Sequence, residues 1–442
     1  MLKKLLLICL LWPALALAQV HEYRLDNGLK ILVKEDHRAP VVVAQIWYKV
    51  GSSYEHLGIT GISHVLEHMM FKGTKKHPAG EFSRIIDENG GRENAFTGKD
   101  YTAYFQQLEK SRLPVSFELG ADRMRNLTLP PEEFAKEVKV VMEERRMRTE
   151  DKPTALTYEQ FQAAAFVSSP YHNPVLGWMG DLKSLTVADL RAWYKRWYAP
   201  NNATLVVVGD VEPDAVLALA RKYYGPLAPS KLPALKPRTE IEQKGPRRIV
   251  VRAPAKLPYL ILGWHVPVLK TAAHEWEAYA LEVLGDILAG GDSARLPREL
   301  VRGRQIAAAA DAGYDLYARQ NSLFTLDGTP AKGHSVAELR KALLDQIERL
   351  KRKPVSAAEL ARIKAQVVAG KIYEQDSVFY QAMQLGMLET VGLGWRRLDE
   401  YPAKIRAVTP AQIQFVARKY LIADHLTEAE LQPLPLAAPS HE

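Results

Sequence analysis

Cysteine is almost absent from this chain. Among 442 residues there is one, Cys9, and it lies inside an apolar N-terminal run. Downstream of it there can be no disulfide framework, cysteine nucleophile, CxxC redox centre or thiolate metal ligand. Any metal site must use His, Asp or Glu. Long apolar stretches are equally scarce. Beyond the N-terminus none approaches the ~20 residues that a bilayer-spanning helix needs. Charge of one sign is not concentrated either: 59 Lys and Arg against 51 Asp and Glu give a formal +8. That excess is spread without a basic tail or block, which favours solubility and makes no case for nucleic-acid binding. Gly290-Gly291 is not followed by G-K-[ST], so it is no phosphate loop. What is present, 47% hydrophobic and 25% charged residues, belongs to a folded chain rather than a disordered or collagenous one.

Residues 1–18 read as a targeting segment. Lys3 and Lys4 form a positive start, Leu5–Leu11 an apolar run, and Ala16-Leu17-Ala18 a cleavage signal before Gln19. Ile8 before Cys9 is a poor fit to a lipoprotein site, which wants a small residue there. The expectation is a cleaved signal peptide and a mature chain from near Gln19 with no membrane span. Its location would be periplasmic, or secreted where the source has no outer membrane.

The length suggests two or more domains at ~100–200 residues each. Pro226, Pro229, Pro233, Pro237 and Pro246 mark a Pro-rich, charged linker. The segments on either side resemble each other. Leu182-Lys-Ser-Leu-Thr-Val-Ala-Asp-Leu190 matches Ile405-Arg-Ala-Val-Thr-Pro-Ala-Gln-Ile413, with Thr186 and Thr409 offset by 223 residues. Earlier in each half an apolar strand, Val41–Val50 or Tyr259–Val266, leads into a helical pattern. The expected fold class is α+β, as two homologous domains, each an antiparallel-rich sheet with helices packed on one face. The expected boundaries are 19–225, a linker over 226–248, and 249–442.

Chemistry is carried by His64-Val-Leu-Glu67-His68. At about 100° per residue, His64, Glu67 and His68 fall within about 100° of helix arc. Two imidazoles one turn apart can share one zinc ion, and the carboxylate between them can take a proton from that ion's water. H-x-x-E-H is the inverted zincin pattern. Thr60 is the expected N-cap of this helix. A third ligand is needed, and the helix over 131–149 offers one. Phe134, Val138, Val141 and Met142 form its apolar face. Glu137 and Glu144 lie at about 300° and 280° from Phe134, on the flank of that face, whereas Glu143 lies at about 180° and points to solvent. Glu144 is therefore the candidate ligand, with Glu137 two turns earlier behind it.

The stretch Gly61-Ile-Ser-His-Val-Leu-Glu-His-Met-Met-Phe-Lys-Gly-Thr74 resembles the M16 metallopeptidases (pitrilysin, insulysin, mitochondrial processing peptidase). Their metal-binding glutamate follows the second histidine by about 76 residues, which is the separation between His68 and Glu144. The resemblance implies zinc held by His64, His68 and Glu144, Glu67 as the base that activates water, and Glu137 as the supporting acid. Asn94-Ala95-Phe96-Thr97 resembles the edge strand along which such enzymes bind an extended peptide by β-augmentation.

The second half departs from that pattern. Glu282, Gly285 and Asp286 stand where the first half has His64, Glu67 and His68, so no equivalent zinc site is expected. The non-metal half or partner in the family often supplies an Arg and, seven residues later, a Tyr. Alignment puts Val301 and Ala308 at those positions. Family members of this length assemble as clam-shells of two units. The resemblance thus implies a zinc endopeptidase subunit with a homologous metal-less partner that supplies the Arg/Tyr pair. A self-sufficient homodimer is the alternative assembly, and a non-catalytic scaffold or peptide-binding chaperone the alternative function.

Overall fold

The computed structural model describes residues 19–436; the expected targeting segment lies outside the described residues. The first half builds a six-stranded sheet. Its strands are β1 (Val20–Arg24), β2 (Lys30–Glu35), β3 (Val41–Tyr48), β4 (Arg92–Thr97), β5 (Thr102–Glu109) and β6 (Ala203–Gly209). They lie in the order β1-β2-β6-β3-β5-β4, with β2 and β6 parallel and every other pair antiparallel. The second half builds a five-stranded sheet from β7 (Arg247–Pro254), β8 (Tyr259–Val266), β9 (Ala307–Gly313), β10 (Ser322–Pro330) and β11 (Leu426–Leu434). Its order is β7-β11-β8-β10-β9, and only β7 and β11 are parallel. The two sheets thus share a pattern in which a strand from the end of the unit inserts beside its first strands. The likeness extends to helix starts: Thr186 and Thr409 each form a capping box, with Asp189 and Gln412 respectively. Residues 226–246 carry no helix or strand, and β7 begins at Arg247.

Within each half, helices cover one face of the sheet, as expected. In the first half the helices Ile62–Met69, Leu113–Arg125 and Val187–Trp197 close a core around Ile31, Val33, Ile46, Tyr48, Tyr104 and Leu205. The other face is not left to solvent. Helix Val378–Val391 comes from the second half and lays Ala382 and Leu385 on Leu32, Val43, Trp47, Val206 and Val208. Reciprocally, helix Pro153–Ala165 of the first half lays Phe161 and Ala165 on Ile261 and Ala429 of the second sheet. A glycine allows each crossing. A Cβ on Gly386 would lie 2.1 Å from Trp47 Nε1, and one on Gly263 would lie 2.5 Å from Phe161 Cζ. Burial on both faces explains why β3, VVVAQIWY, reads as an apolar run broken only by Gln45 rather than an alternating one. Among the described residues no helix is long and apolar enough to cross a membrane.

Candidate metal centre

Helix Ile62–Met69 carries His64, Glu67 and His68 on the face turned toward helix Pro131–Arg145. Its start differs from the expectation. The N-cap is Gly61, in the left-handed region at φ 87°, and Thr60 does not cap. Thr60 Oγ1 instead donates to Asp181 (2.6 Å) and accepts from the Trp178 amide (2.9 Å). The free amides at the helix start are taken by a carboxylate from outside. Glu55, fully buried, accepts from Gly61 N (2.8 Å) and Ser63 N (2.9 Å). Burial pushes the Glu55 carboxyl up to about 7, against the pull of those amides. An anion there suits the positive end of the helix.

Glu144 comes from the last turn of the facing helix, Pro131–Arg145. The angular argument holds: the Glu143 side chain is 58% exposed, against 15% for Glu144 and 10% for Glu137. Glu144 Oε2 lies 3.1 Å from His64 Nε2 and 3.4 Å from His68 Nε2. All three donor atoms lie within 4.8 Å of one another. Tetrahedral zinc with bonds of about 2.0–2.1 Å would separate its ligands by about 3.3–3.4 Å, so the donor set fits that ion.

The supporting contacts are equally specific. His68 turns Nδ1 to Glu137 Oε2 at 3.1 Å, which leaves Nε2 facing Glu144. Lys72 Nζ holds the other Glu137 oxygen at 2.7 Å. Arg148 holds Glu144 Oε1 at 2.8 Å and leaves Oε2 to the imidazoles. Burial works against a charge on His64, but the Glu144 and Glu67 carboxylates outweigh it and hold its imidazolium up at about 9. His64 in turn keeps Glu144 below the usual carboxylate range. Three carboxylates, Glu67, Glu137 and Glu144, thus surround the two imidazoles, with Lys72 and Arg148 on the outer oxygens of Glu137 and Glu144.

Glu67 Oε2 lies 3.5 Å from His64 Nδ1 and accepts a 2.5 Å hydrogen bond from Thr97 Oγ1. Thr97 ends β4, so the sheet edge and the H-x-x-E-H helix meet at this carboxylate. Among the described residues β4 pairs with β5 alone, so Asn94, Ala95 and Phe96 lie on an edge strand, where the Ala95 amide donates to Asn94 Oδ1 at 2.8 Å. Phe96 packs edge-on to Trp47, with ring centroids 5.3 Å apart. Thr97, Glu55, Lys72 and Arg148 were not singled out from the sequence. Only Thr97 had a signal there, as the last residue of the edge-strand run.

Arg145, next to Glu144, is nearly buried. It makes a two-pronged contact with Glu159 (both 2.7 Å) and donates to Gly177 O at 2.8 Å. Gly177 packs directly on Gly61, where a Cβ on Gly177 would lie 2.6 Å from Gly61 Cα. The carboxylate helix is thereby braced to the start of the histidine helix. After Arg145 the helix widens into a π-turn over Arg146–Glu150, where a continuous helix to Thr149 was expected.

In the second half, Glu282 and Asp286 lie on helix Glu275–Ala289, and among the described residues no histidine forms a metal-ligand cluster with them. Val301 lies in the helical turn Leu296–Gly303, and Ala308 on β9, the free edge of the second sheet. Tyr314 OH is occupied by Pro267 O at 2.7 Å.

Comparison with known proteins gives the same picture. Residues 30–178 match the family described as insulinase (peptidase family M16), and residues 184–367 match the peptidase M16 inactive domain. The chain is 35% identical over 344 residues to the zinc protease PqqE of Helicobacter pylori, covering 77% of this chain and 76% of that one. It is 27% identical over 408 residues to an uncharacterised zinc protease, YmxG, of Bacillus subtilis, covering 92% and 97%. The crystal structure of a protease from Helicobacter pylori superposes with a TM-score of 0.89 at 32% identity, over 94% of this chain and 100% of that one. The periplasmic protease PqqL of Escherichia coli shares the fold, with a TM-score of 0.78 at 18% identity, over 95% of this chain and 49% of that one. With both halves matched and a relative this similar over most of its length, the chain belongs to the M16 family of peptidases.

Proposed function

We propose that this protein is a zinc-dependent endopeptidase that cleaves extended or unfolded peptides. The observation that carries the reading is the convergence of His64 Nε2 and His68 Nε2 on Glu144 Oε2, at 3.1 and 3.4 Å, beside a further carboxylate, Glu67. His64, His68 and Glu144 would hold the ion, and Glu137 would fix the ring of His68. A bound zinc ion supplies a Lewis acid and renders its water ligand acidic near neutral pH. Glu67 takes the proton of the attacking water and returns it to the departing amine. Thr97 holds the Glu67 carboxylate against the substrate strand. The backbone of Asn94, Ala95 and Phe96 pairs with the peptide as an added strand. Such pairing reads little sequence, which suits unfolded substrates.

The unit over 19–225 would be the zinc-bearing domain, joined through 226–248 to a metal-less counterpart over 249–442. Val301 and Ala308 cannot supply the Arg/Tyr pair that the family uses. The favoured assembly is therefore a chamber with a homologous metal-less subunit. A chain such as PqqL, of which this fold spans 49%, supports a working molecule built of two such units. The N-terminal signal supports export to the periplasm.

The test is peptide cleavage by the protein isolated from cells with whatever M16-like chain accompanies it. Chelator should abolish cleavage, and Glu67→Gln should lower it by about 10²–10⁴-fold with zinc retained. Wild-type cleavage by Glu67→Gln would refute the mechanism. Full activity of the mature chain alone would replace the heterodimer by the homodimer.

A further inference from the structure

Where β2 and β6 end, a second set of histidine and carboxylate groups converges. Glu35 ends β2, and His37 follows in the turn after it. Asp210 follows β6, and Glu212 caps helix Pro213–Tyr223. The parallel β2–β6 pairing brings these together: Glu35 stands opposite Gly209 in the ladder. Backbone bonds from Asp36 N to Gly209 O (2.8 Å) and from Asp210 N to Val41 O (3.0 Å) continue past it.

His37 Nε2 lies 3.5 Å from Glu35 Oε1, and one ring nitrogen of His37, one oxygen of Glu35 and one oxygen of Glu212 all lie within 4.8 Å of one another. The other ring nitrogen, Nδ1, is held by Asp210 at 2.7 Å. That is the arrangement in which a carboxylate fixes the tautomer of a metal-ligating histidine and turns its free nitrogen to the ion. It repeats, with different residues, what Glu137 does for His68. Lys110 holds the second Asp210 oxygen at 2.5 Å, so Asp210 stays committed to orienting the ring. Three carboxylates, Glu35, Asp210 and Glu212, meet here beside one lysine, Lys110, and two imidazoles: His21 Nε2 lies 3.5 Å from Glu35 Oε2, and His37 lies between Glu35 and Asp210. The Glu35–His37 separation is close to the tetrahedral edge of about 3.3–3.4 Å.

We propose that Glu35, His37 and Glu212 form an auxiliary site for a divalent transition-metal ion, oriented by Asp210 and separate from the H-x-x-E-H centre. Three protein donors leave a coordination position to water, and the His37 side chain is 52% exposed. The ion therefore binds reversibly, and holds the end of β2 against the start of the helix Pro213–Tyr223.

The experiment is calorimetric titration of the full chain with zinc, alongside metal analysis. To silence the first centre, the titration is repeated in a His64→Ala, His68→Ala background. That background should still bind one equivalent. His37→Ala with Glu212→Gln should remove it, and Asp210→Asn should weaken it by about 10–100-fold. Circular dichroism of each variant shows whether the fold is kept. Failure of the background to bind any zinc, or an equivalent that survives His37→Ala with Glu212→Gln, would overturn the proposal. Neither outcome bears on the first centre, because the proposal does not rest on it.

Discussion

His68 reaches its facing position only because Glu137 holds its other nitrogen. Glu137→Gln keeps the shape and weakens the hold, so zinc affinity should fall by about 10–100-fold with the fold intact. Competition against a chelator of known affinity measures this, and an unchanged affinity would make Glu137 a bystander. A second residue-scale prediction concerns the other half. Burial pushes Glu282 up to about 8 and Asp286 up to about 6, from ordinary values of 4.5 and 3.8. The folded chain keeps these protons where the unfolded chain gives them up. Their contribution to stability is therefore full below the ordinary values. It drains as pH rises, first through the window of Asp286 and then through that of Glu282. Glu282→Gln removes the larger part. Thermal melts should coincide with wild type near pH 4 and lie above it near pH 9; identical pH profiles would show that Glu282 carries no such penalty. The grouping of His64, Glu67 and His68 on one helix was legible because their spacing is set by one helix turn. Glu55 was not, because nothing in a chain of letters marks a carboxylate that caps a helix eight residues away.

The elements that carry the site are held by one buried side chain. Arg145 joins Glu159 and Gly177 O, and so ties the Glu144 helix to the loop under Gly61. Arg145→Met would leave the Glu159 carboxylate buried without its partner, at a cost of about 3–5 kcal/mol. It should also loosen zinc binding, since Glu144 is the adjacent residue. Denaturant melts and zinc competition read the two effects separately, and the combined change Arg145→Met with Glu159→Leu should recover stability better than zinc affinity. The internal match at Leu182–Leu190 and Ile405–Ile413 was readable because both copies start a helix at a capping threonine, Thr186 or Thr409. The π-turn at Arg146–Glu150 was not, because the helical period continues through it and only the buried Arg145 and Thr149 distinguish it. The Thr60 cap failed for a related reason. Asp181 lies too far along the chain for local rules to see it compete for the hydroxyl.

At the scale of the molecule, the two halves are less independent than a linker between two similar units suggests. Helix Val378–Val391 is buried on nearly every side: Ala382 and Leu385 meet the first sheet, while Leu388 belongs to the core of the second half. A helix buried on every side has no amphipathic period from which to read its neighbours, so this crossing was invisible in the sequence. It has a direct consequence. Residues 19–225 alone would expose Leu32, Val43, Trp47, Val206 and Val208 as one apolar face. A patch of that kind drives aggregation or partner capture. Residues 249–442 alone would likewise lose the cover that Phe161 and Ala165 give the second sheet. The full chain should therefore unfold in one transition, and neither half should yield a monomeric folded product when expressed separately. Gly386→Leu tests the same contact within the intact chain. A side chain there must displace Trp47, and overpacking of this kind costs about 1–3 kcal/mol. Because the strain falls on the joint and not on the metal centre, Gly386→Leu should lower the single melting transition and leave zinc affinity near wild type. Two separate transitions in the wild-type chain, or a soluble monomer from residues 19–225, would show instead that each half is a self-standing domain.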